Sequence, residues 1–129
     1  MSIHELSFCK AIILNPDLAE IIVDDGIEID LEMMTEYHNW VSENLSNPCM
    51  ILTNKINSYT YSFDAQLIFG SLEQIKAVAV LAHCNTAITT TEYLTTVPRE
   101  NSWNVKIFSI RNEALLWLEK QWVHILDKN

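Results

Sequence analysis

The stretch that most constrains this chain is Ile75-Lys76-Ala77-Val78-Ala79-Val80-Leu81-Ala82, in which Lys76 is the single polar residue. Side chains alternate between the two faces of a strand, so a run that is apolar at both parities has to be covered on both faces. Such a strand belongs in the middle of a sheet that carries helices on either side, the arrangement of α/β proteins. Two shorter runs, Cys49-Met50-Ile51-Leu52 and Val105-Lys106-Ile107-Phe108, suit the same sheet. Toward the N-terminus, residues 5–14 alternate Leu6 and Phe8 with Glu5 and Ser7 before entering Ala11 to Leu14, and Leu18 to Val23 is again β-rich. Asn15-Pro16-Asp17 lies between them as a turn, which makes an antiparallel hairpin the shortest connection.

Helix signals fill the intervals. Asp30 reads as an N-cap for a helix over residues 30–45, with Glu32 in the first turn and Leu31, Met34, Val41 and Leu45 on the inner face. Ser46-Asn47-Pro48 ends it, and Thr53 to Thr60 reads as a loop. Ser62 caps a second helix, with Asp64 in its first turn and Phe63, Leu67 and either Phe69 or Gly70 turned toward the core. Asn85 to Thr96 forms a third helix despite its six threonines, and Pro98 stops it. Asn112 to Leu126 is the last helix. The expected order is β-β-α-β-α-β-α-β-α: a five-stranded, mixed but mostly parallel sheet with helices packed on it, in one domain over residues 1–129.

Composition narrows the function classes. A chain of 129 residues and 14.9 kDa has room for one core, and 49% hydrophobic residues with only 2 Gly exclude a disordered or low-complexity chain. With 17 acidic against 8 basic residues, a net charge of −9 and a pI near 4.7, neither nucleic acid nor an anionic membrane surface is an expected partner. No segment reaches the roughly 18 apolar residues of a membrane helix, so no membrane insertion is expected. The N-terminal residues lack a signal-peptide pattern, and a cytoplasmic location is expected. Cys9, Cys49 and Cys84 are odd in number and lack a Cys-x-x-Cys pair, which suits neither a disulfide framework nor a zinc knuckle. With Gly26 and Gly70 as the only glycines, neither the Walker loop nor the dinucleotide fingerprint can be written.

Three stretches resemble a family of small bacterial SpoIIAA-like proteins within the wider STAS class. They are Asp24-Asp25-Gly26-Ile27-Glu28-Ile29 leading into a helix, Val78-Ala79-Val80-Leu81 in the fourth strand, and Ile107-Phe108-Ser109 followed by Glu113-Ala114-Leu115-Leu116-Trp117-Leu118. The likeness spans about residues 18–120 and rests on packing residues: in the last stretch Ala114 lets the helix approach the sheet while Leu and Trp fill around it. The resemblance implies a STAS-type fold and a regulatory, non-enzymatic role exerted through protein–protein contact, as in anti-sigma factor antagonists. Those proteins carry an Asp-Ser-Ser-Gly turn at the second helix, where a kinase partner phosphorylates a serine. Here the region reads Asn57-Ser58-Tyr59-Thr60-Tyr61-Ser62-Phe63-Asp64, without that motif. The resemblance makes Ser58, Tyr59, Thr60, Tyr61 and Ser62 the docking or phospho-switch candidates, against the plainer reading of Ser62 as a helix cap.

Other candidates follow from residue chemistry. His83 and Cys84 stand at the C-terminal end of the fourth strand, the edge at which open α/β sheets hold ligands. Adjacent residues on a strand end point apart, so a Cys–His nucleophile is disfavoured against a buried thiol beside a surface histidine. Asp24, Asp25, Glu28, Asp30 and Glu32 lack calcium-loop spacing and read as a solvated acidic turn with its cap. His4, His38 and His124 share no ligand spacing, so neither a metal nor a cofactor is expected. In the last helix Leu115, Leu118, Trp122 and Ile125 make one apolar stripe, leaving Leu116, Trp117 and Val123 for a neighbouring helix, a homodimer or another protein partner of unknown identity. The alternative function is a carrier or sensor of a small hydrophobic ligand, with a pocket between sheet and helices near the fourth-strand edge and the threonine-rich segment.

Overall fold

The computed structural model describes residues 2–68, 71–95 and 104–127. The chain opens with β1 (Ser2–Glu5) and turns back as β2 (Cys9–Asn15), which continues through the Asn15-Pro16-Asp17 turn into β3 (Leu18–Val23). The single strand expected over residues 5–14 is therefore two strands. The break lies where the Leu6 N–H donates to the Cys9 carbonyl at 2.8 Å and Phe8 turns into the core at 2% exposure. Both hydrogen-bonding groups of Ser7 donate to the Glu36 carboxylate, which holds the turn against the following helix.

Beyond β3 come a two-residue strand β4 (Glu28–Ile29), α1 (Leu31–Asn44) and β5 (Cys49–Lys55). Asp30 caps α1 as the sequence indicates, its carboxylate accepting from the Met33 N–H at 2.9 Å. Trp40 joins Met34, Val41 and Leu45 on the buried face, whereas Leu31 is 47% exposed. The other end of α1 has no glycine to close it. Instead the buried Gln74 amide shares its N–H groups among the carbonyls of Val41, Leu45 and Ser46, at 3.2, 3.0 and 2.9 Å.

The loop expected over Thr53 to Thr60 is shorter than that, because β5 runs on to Lys55 and a second short strand, β6 (Thr60–Tyr61), pairs parallel with β4. Then come α2 (Phe63–Ile68), β7 (Ile75–Ala82), α3 (Asn85–Thr95), β8 (Val105–Phe108) and α4 (Arg111–Asp127). In α2 the side chain turned inward is Ala65; Phe63 is 73% exposed and Leu67 41%, so the expectation that both approach the core is corrected. Phe69, Gly70 and Pro98, also given roles above, lie outside the described residues.

The main sheet is mixed and has six strands, not five, in the order β1-β2-β3-β5-β7-β8. The first three are antiparallel, and β3, β5, β7 and β8 are parallel. Because the parallel strands follow one direction across the sheet, crossovers of one hand place α1, α2 and α3 on the same face. On that face Met34, Trp40, Val41 and Ala65 pack with Ala19, Ile21, Ile51, Val78 and Val80. The opposite parity of the same strands, Leu18, Met50, Leu52, Ala77, Ala79 and Leu81, meets Ala114 and Leu118 of α4. The continuous run of β7 is buried on both sides, as its composition demands.

Ala114 is fully buried where α4 crosses the sheet, while Leu116 is 57% exposed. Ala114→Leu is expected to destabilise the fold by about 1–3 kcal/mol through overpacking, and Leu116→Ala to change it by less than about 0.5 kcal/mol. Urea denaturation of the two variants beside the wild type checks the pair.

Candidate functional site

Two successive residues at the C-terminal end of β5 organise the polar interior, one on each face of the sheet. Asn54 faces the α4 side. Its amide N–H donates to Glu20 Oε2 at 2.9 Å, which leaves Oδ1 to accept, so the 2.7 Å contact to His83 is a hydrogen bond donated by Nε2 of the imidazole. Glu20 is 4% exposed within the otherwise apolar β3, and Arg111 from the start of α4 grips it in a fork, Nη1 to Oε2 at 2.9 Å and Nη2 to Oε1 at 2.6 Å. The Arg111 hydrogen bonds hold the Glu20 carboxyl below the usual carboxylate range against the opposing effect of burial, with Asn54 assisting. Four elements thus converge at this edge: β3, β5, the end of β7 and the start of α4.

Lys55 faces the other side, at 6% exposure. Its ammonium donates to Thr91 Oγ1 at 2.9 Å, and Thr91 in turn donates to the Ala87 carbonyl at 2.8 Å. The Tyr59 ring lies 5.1 Å from Nζ and the Tyr61 ring 6.0 Å, so aromatic faces stand where a carboxylate would usually be. Burial alone pushes the lysine down to about 8. A buried amine of this kind is the sort of group recruited as a base or nucleophile. However, the neighbouring cavity among Thr53, Tyr37, Tyr59 and Tyr61 measures about 20 Å³, room for a water molecule and not for a substrate.

The docking candidates divide by burial. Tyr59 and Tyr61 are core residues, each 8% exposed and packed edge to face at 5.8 Å, so their side chains offer nothing to a partner. Ser58 and Thr60, on either side of Tyr59, are exposed. Ser62 is a cap, its hydroxyl oxygen accepting from the Ala65 N–H at 3.2 Å. The segment is fastened from beneath by the acidic turn: Ser58 N–H donates to Asp25 Oδ1 at 2.9 Å, and Gly26 N–H to the Ser58 carbonyl at 2.7 Å. Gly26 takes φ +78° there, a conformation glycine adopts without strain. Asp25 and Asp30 are therefore engaged with the backbone, and among the described residues no three His, Cys, Asp or Glu side chains gather around a metal-sized site.

Cys84 is exposed, which corrects its expected place in the core; the buried thiols are Cys9 and Cys49, each pushed up to about 12 by burial. His83 is committed to Asn54 instead of a thiol. Of the α4 residues, Leu116 and Val123 are exposed, and Trp117 packs against Phe108 at 5.7 Å and is partly buried. The large groove on this face lies away from the His83 edge. It has a volume of about 560 Å³ and runs along the flank of α4 to the β2–β3 turn, over a floor of Leu18, Met50, Leu115 and Leu118. No family model, curated protein or solved structure matches the chain.

Sequence reasoning missed Glu20, Asn54, Lys55, Thr91 and Arg111. The available signal was a carboxylate inside an apolar run, since a charge in a buried strand needs a partner. That partner is 91 positions away, so only the topology could identify it.

Two pH effects follow. Glu20 is depressed in the folded state, so its contribution is present above the unfolded carboxyl value of 4.5 and is lost as pH falls through the folded one. Arg111→Met removes the cause and is expected to bring acid unfolding on at higher pH, read by tryptophan fluorescence. Lys55 has the opposite sense: the cost of burying its ammonium is fully present below about 8 and is relieved as pH rises toward the unfolded value of 10.5. Relative to Lys55→Met, the wild type is expected to gain on the order of 2 kcal/mol between about pH 7 and about pH 10, measured by denaturant titration across that range.

Proposed function

We propose that this chain is a non-enzymatic regulatory module of the SpoIIAA-like STAS type that acts through protein–protein contact, docking its partner on α2 and the segment before it. The observation that carries the reading is the exposure of Phe63 and Leu67, 73% and 41%, one helical turn apart on α2. A phenyl ring so far out of the core, next to a second apolar side chain, is the composition of a contact surface. Exposed Ile56 in the preceding loop and exposed Ser58 and Thr60 extend it with a mixed apolar and hydroxyl character. The segment has a rigid base, because the Thr60 N–H donates to Ile27 and the Ser62 N–H to Ile29 at 2.9 and 2.8 Å, while Tyr59 and Tyr61 anchor it inward. Ser62 serves as the cap, so docking in this reading depends on shape and apolar contact and does not require a phosphate.

The test is affinity capture from the cytosol of the source cell with the wild type and with the double variant Phe63→Glu, Leu67→Glu. Both positions are exposed, and the variant is expected to keep its melting temperature within a few degrees. Recovery of a specific protein by the wild type and at least a tenfold loss with the variant is the expected result. Equal recovery by both places docking elsewhere.

A second reading, an apolar-ligand carrier with its site between sheet and helix, is favoured by the 560 Å³ groove beside α4, a volume in the range of small-molecule sites.

A further inference from the structure

Among the described residues α4 is the one helix on its face of the sheet, and the groove lies beside it. Six strands at about 4.8 Å spacing span roughly 24 Å, whereas a helix with its side chains covers about 10 Å. Helix α4 lies over β5, β7 and β8, so the sheet beside it toward β3 and β2 has no helical cover among the described residues. Asn112, Leu116, Glu119 and Trp122 form the wall on α4, recurring every three or four residues along one flank. Asn15 and Asp17 of the β2–β3 turn line the same groove.

The lining has a definite charge. Its floor is apolar, and its polar groups among the described residues are the amides of Asn15 and Asn112 and the carboxylates of Asp17 and Glu119, with no described basic side chain in the lining. Among the described residues the one salt bridge is Glu20 with Arg111, so neither rim carboxylate is neutralised by a described cation. Burial moves the Asp17 carboxyl above the usual carboxylate range, the situation of an acid partly withdrawn from water. The Asp17 backbone is fixed, its N–H donating to Asn15 Oδ1 at 3.3 Å and its carbonyl accepting from the Met50 N–H at 2.8 Å. Trp122 stands at the same groove, an aromatic face suited to a cation.

We propose that this groove binds a small amphipathic cation, an alkyl or aromatic body lying over Leu18, Met50, Leu115 and Leu118 with an ammonium group held by Asp17 and Glu119 beside Trp122. The proposal rests on the ligand-carrier reading and adds the charge of the ligand. A flat partner surface would leave a groove of about 560 Å³ unfilled, and an anionic amphiphile would meet two carboxylates.

The probes are n-octylammonium, n-octanol and octanoate, which share one chain and differ in charge, followed through the methyl resonances of the methionines. Octylammonium is expected to shift Met50 saturably and to leave Met33 and Met34, which belong to α1, unmoved. The double variant Asp17→Asn, Glu119→Gln is expected to bind octylammonium at least tenfold more weakly and octanol unchanged; the retained octanol response shows that the groove is still folded. Equal affinity for octanol or octanoate in the wild type overturns the cationic ligand while keeping the carrier. Absence of a Met50 shift with all three overturns both.

Discussion

Because β3, β5, β7 and β8 succeed one another in a single direction across the sheet, connections of constant hand carry every crossover helix over the same face. Nearly everything else about this molecule follows from that restriction. The covered face receives three helices and the larger apolar cluster; the other receives α4, which packs back on the sheet. The two faces consequently differ in kind. One is a closed core in which even a lysine is enclosed, and the other is a partly open surface with a groove at its boundary.

The polar interior is distributed accordingly. On the open side Glu20 and Arg111 satisfy each other, and Arg111 remains 42% exposed, so the pair is only half withdrawn from water. Such a pair adds little net stability compared with apolar residues of the same shape, but removing either member leaves a charge without its partner. Its geometric effect is to fix where α4 begins relative to β3, which sets the width of the groove along the flank of that helix. On the closed side Lys55 has no counter-ion among the described residues, and its ammonium is met by one hydroxyl and two ring faces. The same strand end therefore carries a neutralised site on one face and an uncompensated charge on the other.

How much of this was legible in the sequence depended on how local the signal was. The β7 run, the β8 strand, the Asp30 cap and the Ser62 cap are all written in a few adjacent residues, and the structure has them where the sequence places them. Ala114 against the sheet was also readable, because a small residue within an apolar stripe marks a close approach. The division of the first strand was hidden, since Leu6 and Phe8 keep an alternating pattern through a turn. Phe63 and Leu67 were misplaced for another reason: hydrophobicity identifies what can be buried, and the sheet was already covered by Ala65 on that short helix. The candidate site was least legible. Its members come from residues 20, 54, 55, 83, 91 and 111, which have no spacing in common and meet only through the order of the strands.

The side chain of Gln74 gives α1 a dependence that its own sequence does not express. The carbonyls at the end of that helix are satisfied from a residue about thirty positions downstream, just ahead of β7, and the Cys49 N–H that starts β5 donates to the Gln74 carbonyl at 2.8 Å. A helix of 14 residues has little stability by itself in water. Its final turn is thus completed only when the chain has travelled through α2 and come back. In hydrogen exchange, the amides at the end of α1 and those at the start of β5 should open together as one cooperative unit, with the helix terminus protected to the same degree as the centre of the sheet.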